Sequence, residues 1–180
     1  MNRIIIYGTE YGTAKLYADE LSRRTGIEAI SYKDVTNIDS YETIIYIGAL
    51  YAGGVLGMSK TFKAINNPSD KRFIIITVGL ADPADEENIK NIRGGITKQI
   101  SREILAKSRI YHVRGGIDYS KLGFKHRTMM SLLYKKAKGL PDERKTAEVK
   151  AMVDTYNKTI DFVDFSYLDI VTGEMDYGRE

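Results

Sequence analysis

Residues 9–14, with the sequence TEYGTA, combine two hydroxyls and a glycine in a short turn that could bind phosphate. The turn follows an apolar strand pattern at residues 4–6 and precedes an amphipathic helical pattern over residues 14–21. Backbone N–H groups and the positive end of a helix dipole converge where a helix begins in this way, and both attract an anion. The segment therefore predicts a phosphate-binding turn. The alternative is an ordinary strand-turn-helix connection in which a threonine caps the helix.

The glycine spacing excludes two common phosphate-binding turns. A dinucleotide-binding turn needs GxGxxG, and a nucleoside-triphosphate loop needs GxxxxGK followed by Ser or Thr, whereas only Gly8 and Gly12 occur here and Lys15 precedes a leucine. A phospho-acceptor receiver domain needs acids after its first and third strands. This chain has Gly8 and Gly48 at those points, so the receiver interpretation is excluded.

Strand-like apolar runs alternate with helical segments along the chain. The runs span residues 3–7, 28–32, 43–48, 72–78 and 109–114, and the helical segments span residues 13–25, 58–66, 85–107 and 143–163. This alternation predicts a three-layer α/β/α fold with a five-stranded parallel sheet of order 2-1-3-4-5, which binds ligands at the carboxyl ends of its strands. Gly94 and Gly95 should interrupt the third helix, and Pro141 should mark the start of the last.

Length and composition restrict the function classes. At 180 residues the chain suits one α/β domain, and we place it at residues 1–165, followed by an acidic tail at residues 166–180. Without cysteine and with only two histidines, no disulfide, thiol nucleophile or metal site is expected. The chain shows neither a secretory leader pattern nor an apolar run near 18 residues, so we expect a cytoplasmic protein.

The turn at residues 9–14 resembles the phosphate loop of the flavodoxin family, T/S-x-T-G-x-T, with Tyr11 and Ala14 where that family usually has threonine. The segments after the third and fourth strand patterns resemble its second and third flavin loops, although the third lacks the usual aromatic residue. The resemblance implies FMN as cofactor. The implied cofactor-binding residues are Thr9, Glu10, Tyr11, Gly12, Thr13, Ala14, Ala49, Leu50, Tyr51, Ala52, Gly53, Gly54, Val78, Gly79, Leu80, Ala81 and Asp82.

A basic insertion at residues 117–140 follows the fifth strand pattern and carries no acid from residue 121 to residue 138. Residues 115–144 resemble the corresponding stretch of the menaquinone-dependent protoporphyrinogen oxidases, which are flavodoxin-like enzymes. This resemblance implies a small-molecule substrate such as a porphyrinogen, and a quinone or redox protein as partner. The substrate-binding residues implied are Tyr119, Lys121, Lys125, His126 and Arg127.

The segment from Lys125 to Lys138 allows two functional interpretations. Its Met and Leu side chains beside lysines suit contact with a membrane surface, which would place the protein at the inner membrane face. The same residues could instead cover a flat, acidic substrate. Alternatively, the segment has only a structural role, in which its apolar side chains pack on the sheet edge and its lysines are solvated.

Three functions remain open from the sequence. The leading hypothesis is an FMN-dependent oxidoreductase that resembles protoporphyrinogen oxidase and passes electrons from an organic substrate through FMN to a quinone. The alternatives are a flavodoxin-type electron carrier and a non-catalytic flavodoxin-domain docking protein. No catalytic side chain is assigned, because the flavin itself would carry the electron chemistry. No nucleic-acid partner is expected, since no recognition motif accompanies the basic segment.

Overall fold

A five-stranded parallel sheet forms the centre of the protein. The computed structural model describes residues 2–51 and 53–176, without the side chain of residue 176. The strands of the main sheet are β1 (Arg3–Gly8), β2 (Ala29–Ser31), β3 (Thr43–Tyr51), β4 (Gly54–Val55), β5 (Arg72–Gly79) and β6 (Ser108–Arg114). The parallel strands have the order β2-β1-β3-β5-β6, and β4 pairs antiparallel with the end of β3. Counted among parallel strands, the predicted order 2-1-3-4-5 is confirmed.

Helices cover both faces of this sheet. They are α1 (Thr13–Thr25), α2 (Met58–Lys63), α3 (Glu86–Thr97), α4 (Arg102–Ala106), α5 (Phe124–Lys138), α6 (Ala147–Thr155) and α7 (Leu168–Asp176). The alternate isoleucines of the strands face two cores, one against α1 and α7 and the other against α2, α3 and α4. Runs such as Ile4–Ile6 are wholly buried because each face of the sheet has its own helical layer. None of these helices is long and apolar enough to cross a membrane.

The predicted interruption of the third helix lies later in the chain than expected. α3 runs through Gly94 and Gly95 and ends at Thr97, and α4 begins after Ser101, whose hydroxyl accepts a hydrogen bond from the N–H of Ile104 at 3.3 Å. A Cβ on Gly95 would come within 2.9 Å of the Gly53 carbonyl oxygen. Gly95 therefore allows close helix packing and does not end the helix.

The predicted helix over residues 143–163 is wrong in its extent. Asp142–Arg144 form only a 3₁₀ turn, and α6 begins after Thr146, whose hydroxyl accepts a hydrogen bond from Val149. Beyond α6 the chain reaches Asn157, which has a left-handed φ of 59°. Because this conformation is incompatible with a continuing helix, the chain leaves as a short strand.

That strand, β8 (Thr159–Asp161), pairs antiparallel with β7 (Gly116–Asp118). The excursion from the sheet therefore spans residues 116–161 and includes both α5 and α6, whereas the sequence predicted an insertion of residues 117–140. We call residues 116–161 the inserted segment. It leaves the sheet after β6 and returns to the same place.

The residues predicted as an acidic tail instead contribute to the core. A 3₁₀ turn at Phe165–Tyr167 leads into α7, and Leu168, Val171 and Met175 are buried in the core that contains α1. Residues 177–180 of the predicted tail lie outside the described residues. The acidic residues of this segment suggested an exposed tail, but its apolar residues form one face of α7 that packs against the core.

Candidate functional site

Three loops meet where β1, β3 and β5 end. Gly8 pairs in register with Gly48, and Gly48 with Thr77, so the three strands end at one edge of the sheet. We call residues 9–14 the first loop, residues 49–54 the second loop and residues 78–82 the third loop. The structure thus brings together the three segments that the sequence predicted to bind one ligand.

The first loop has the geometry of an anion-binding turn. Gly12 precedes α1 with a left-handed φ of 94°, and the Thr9 hydroxyl accepts a hydrogen bond from the Gly12 N–H at 2.9 Å. Among the residues that the structure describes, no side chain caps α1, so the N–H groups of its first turn have no such partner there. Ala14 is fully buried and can offer only its backbone. The Thr13 hydroxyl instead donates to the Gly116 carbonyl at 2.9 Å and fastens the inserted segment.

The second loop is a tight hairpin, because β3 continues through Ala49 and Leu50 to Tyr51 and then pairs with β4. Gly53 makes the turn with a φ of 79°. The predicted site residue Ala52 lies outside the described residues. The Gln99 side chain holds the returning strand, since its oxygen accepts from the Val55 N–H at 2.7 Å and its amide donates to the Val55 carbonyl at 3.0 Å.

The third loop is held mainly through its backbone. The N–H groups of Leu80 and Ala81 both donate to the carboxylate of Glu148, each at 3.1 Å. The Leu80 carbonyl accepts two hydrogen bonds from the guanidinium of Arg114. The Asp82 carboxylate accepts from the Ala84 N–H at 2.8 Å and closes the turn. Val78 is buried in the core, whereas Gly79 is half-buried.

The inserted segment places a side chain on each loop. On α5, His126 Nε2 lies 2.8 Å from a carboxylate oxygen of Glu10 in the first loop. One turn later, the Met129 sulfur accepts a hydrogen bond from the Tyr51 hydroxyl of the second loop at 3.2 Å. On α6, Glu148 binds the third loop as described above. The inserted segment therefore lies over the carboxyl ends of the strands.

Two tyrosine hydroxyls at this site are buried without a partner among the described residues, those of Tyr11 and Tyr119. Burial raises the pKa of each phenol to about 12, and the nearby Tyr51 phenol adds to the shift at Tyr11. Both hydroxyls are therefore neutral donors at physiological pH. Because a buried hydroxyl without a hydrogen bond is costly, these two groups suit a ligand with polar atoms.

The other predicted substrate-binding residues divide into two groups. Arg127 donates to the carbonyls of Tyr119 and Ser120, so it orders the turn beside them. Lys121 forms an exposed ion pair with Asp118 at 3.3 Å, and Lys125 is exposed on α5. Of the five predicted residues, Tyr119 and His126 are the two whose side chains contact the loops or their tyrosines.

Sequence reasoning missed Glu148, Arg114 and Gln99. Each reaches a loop from an element far along the chain, and each belongs to a residue type that usually faces solvent. No local pattern marks them. The path of the inserted segment brings Glu148 to the third loop, the pairing of β6 with β5 brings Arg114 there, and the turn after α3 brings Gln99 to the second loop.

Comparison with a protein-family model agrees with this architecture. The family model described as a flavodoxin domain matches residues 4–144. Among solved structures, a flavodoxin from the domain Archaea is 15% identical, with a TM-score of 0.40 over 63% of this chain and 85% of that chain. A Fusobacterium nucleatum flavodoxin bound to flavin mononucleotide is 18% identical, with a TM-score of 0.44 over 69% of this chain and 76% of that chain. No curated protein sequence matches the chain.

Proposed function

This chain belongs to the flavodoxin-domain family, whose model matches residues 4–144, and on that premise we propose that it is an FMN-dependent oxidoreductase. In this proposal electrons pass from an organic substrate through FMN to a quinone, as the resemblance of residues 115–144 to menaquinone-dependent protoporphyrinogen oxidases implies. FMN, when bound, supplies the transfer of one or two electrons. The protein supplies binding, orientation and exclusion of water.

The residues at the three loops fit FMN. The first loop offers the Thr9 hydroxyl and the uncapped start of α1 to a phosphate. The unpaired hydroxyls of Tyr11 and Tyr119 offer hydrogen bonds to polar atoms of a ring. We therefore retain the predicted cofactor-binding residues of the three loops as the proposed site, with Val78 and Ala14 contributing through their backbones.

The contact of the inserted segment with all three loops is the observation that favours an enzyme over a carrier. An electron carrier must present its ring edge to a protein partner, whereas α5 and α6 cover this end of the sheet. Such a cover would exclude water from a small, flat substrate bound beneath it. Of the predicted cations, Lys121 has only a surface ion pair and is the one that we propose to pair with substrate carboxylates, because Lys125 lies on the exposed face of α5.

The outer face of α5 supports the proposal that the protein encounters its quinone at a membrane surface. Phe124 is 87% exposed and Leu132 is 64% exposed, and both lie on the side of α5 opposite the buried Met130. Four exposed lysines share the helix, namely Lys125, Lys135, Lys136 and Lys138. Apolar side chains surrounded by lysines complement anionic headgroups, so we propose that this face lies on an anionic membrane.

An anaerobic cycle tests the oxidoreductase proposal. The protein is loaded with FMN, mixed with a porphyrinogen and then with a quinone, while flavin absorbance is recorded. The substrate should bleach the flavin bands and the quinone should restore them. Failure of the porphyrinogen to bleach bands that a protein electron donor does bleach would support a carrier. Failure to take up FMN at all would reject both redox functions in favour of a docking protein.

A further inference from the structure

Glu148 is a half-buried carboxylate at the third loop, and it comes from the inserted segment. It lies in the first turn of α6, and its two oxygens accept hydrogen bonds from consecutive backbone N–H groups, those of Leu80 and Ala81. A Cβ at residue 79 would collide with this carboxylate, so Gly79 is needed for the contact. The third loop therefore packs directly against the Glu148 side chain of α6.

Arg114 holds the same peptide from the other side. Its guanidinium donates to the Leu80 carbonyl at 3.1 and 2.8 Å and lies 3.6 Å from the centre of the Phe162 ring. Both backbone polar groups of Leu80 are therefore bound by charged side chains. Charge-assisted hydrogen bonds of this kind are stronger than neutral ones, so the conformation of the third loop is fixed at Leu80.

A carboxylate is a costly choice for this position. Burial raises the pKa of Glu148, whereas the two N–H groups and nearby Arg114 act in the opposite direction. A neutral amide side chain has one acceptor oxygen and would avoid the cost of desolvating a charge, whereas the carboxylate offers a separate oxygen to each N–H group. Glu148 therefore supplies both acceptors to the loop and also places a negative charge at the ends of the strands.

We propose that Glu148 is a positioning residue that holds the third loop in its ring-binding conformation and lowers the midpoint potential of bound FMN. The proposal rests on the proposed function, in which the third loop faces the flavin ring. Reduction adds negative charge to the ring, and a fixed negative charge nearby makes that addition less favourable. Glu148 thus has two separable effects, one on loop shape and one on charge.

Three variants separate these effects. Glu148→Gln removes the charge and also one of the two loop hydrogen bonds, because its amide nitrogen cannot accept from an N–H group. Glu148→Asp keeps the charge on a side chain too short to span both amides, so the difference between the two variants isolates the effect of the charge. Glu143→Gln removes an exposed carboxylate of the same inserted segment and is the matched control. FMN affinity is measured by titration of flavin fluorescence, and the midpoint potential by equilibrium reduction against dyes at pH 8.

We expect Glu148→Asp to weaken FMN binding about tenfold, by the loss of one charge-assisted hydrogen bond, with the midpoint potential unchanged. Glu148→Gln should raise the midpoint potential, and Glu143→Gln should change neither quantity. Equal potentials in Glu148→Gln and Glu143→Gln would overturn the assigned charge effect. Wild-type affinity in Glu148→Asp would overturn the positioning role.

Amide hydrogen exchange of the wild-type protein without FMN provides a test that needs no variant. The Leu80 and Ala81 amides should exchange slowly, because both are bonded to Glu148, and rapid exchange of both would overturn the loop-holding role. If the wild-type protein takes up no FMN, the proposed function fails, and the exchange result still decides whether Glu148 holds the loop. The two failures are therefore distinguishable.

Discussion

Gly12 is the residue on which the anion-binding geometry of the first loop depends. Its φ of 94° lies in the left-handed region, where a β-branched side chain is strained, although the surrounding space is open. Gly12→Val should therefore distort the turn and reduce FMN affinity by at least about tenfold, equivalent to roughly 1.4 kcal/mol. Flavin fluorescence titration measures this change.

Gly26 provides the control for that substitution. It ends α1 with a φ of 70° and also has open space around its α-carbon, so Gly26→Val introduces comparable backbone strain away from the loops. Its flavin affinity should remain that of the wild type. Equal affinities in the two variants would contradict the assignment of the first loop.

Removal of the hydroxyl of Tyr11 or Tyr119, which has no partner among the described residues, should increase stability but weaken FMN binding. Tyr11→Phe and Tyr119→Phe each remove a buried donor without a partner, so each should raise the free energy of unfolding of the FMN-free protein by about 1 kcal/mol. Each should also weaken FMN binding, because a donor to the ligand is lost. Urea unfolding and flavin titration measure the two effects.

Tyr17 is the matched control, since its hydroxyl donates to the Arg114 carbonyl at 2.7 Å and accepts from the Asp164 N–H at 3.1 Å. Tyr17→Phe should therefore lower the free energy of unfolding. If the loop tyrosine variants are destabilised as much as Tyr17→Phe, their hydroxyls have partners, and the argument for ligand contacts at Tyr11 and Tyr119 is lost.

Among the secondary-structure elements, α5 has one face that packs against the protein and one face whose apolar side chains are exposed. Met130 and Ala137 face the protein, whereas Phe124 and Leu132 are exposed among lysines. The double variant Phe124→Ser and Leu132→Ser should reduce partition onto phosphatidylglycerol vesicles by at least about tenfold, because two buried apolar side chains contribute roughly 1.5–3 kcal/mol each. Vesicle sedimentation measures the partition.

Leu16 on α1 supplies the control, because it is 52% exposed outside the inserted segment. Leu16→Ser should leave vesicle partition unchanged. Added salt should weaken the wild-type interaction, since the lysine contribution is screened. Partition of the α5 variant at the level of Leu16→Ser would contradict the membrane assignment of this face.

The elements also show what the sequence could predict. β1, β3 and β5 follow from isoleucine runs that are typical of strands covered on both faces, and the loops follow in the order of those strands. β7 and β8 have three residues each and no alternating pattern, and they pair across more than 40 residues of chain. Their pairing depends on tertiary contacts such as the bond from Thr13 to Gly116, which no local pattern records.

At the scale of the whole molecule, His112 makes the free energy of unfolding depend on pH. Its Nδ1 lies 2.7 Å from the Thr77 hydroxyl, and burial, with a contribution from Arg93, lowers its pKa from 6.5 to about 4. The folded state therefore binds a proton less readily than the unfolded state. The contribution of His112 to stability is complete above pH 6.5 and is lost as the pH falls toward 4.

Urea unfolding at several values between pH 7 and about pH 4 tests this dependence. His112→Gln retains a hydrogen-bonding side chain beside Thr77 but does not titrate, so its free energy of unfolding should decline less steeply with acid than that of the wild type. Parallel curves for the two proteins would show that His112 is not the group responsible.

The β7–β8 pair has a consequence for how the molecule could be rebuilt. Gly116 is paired with Asp161, and antiparallel partners lie only about 5 Å apart, so the chain departs and returns at nearly the same point. A two-residue Asn-Gly hairpin could join the paired strands in place of the intervening helices. The helices between β7 and β8 could thus be replaced without redesigning the sheet below, and under the proposed function such a replacement would change which substrate is bound.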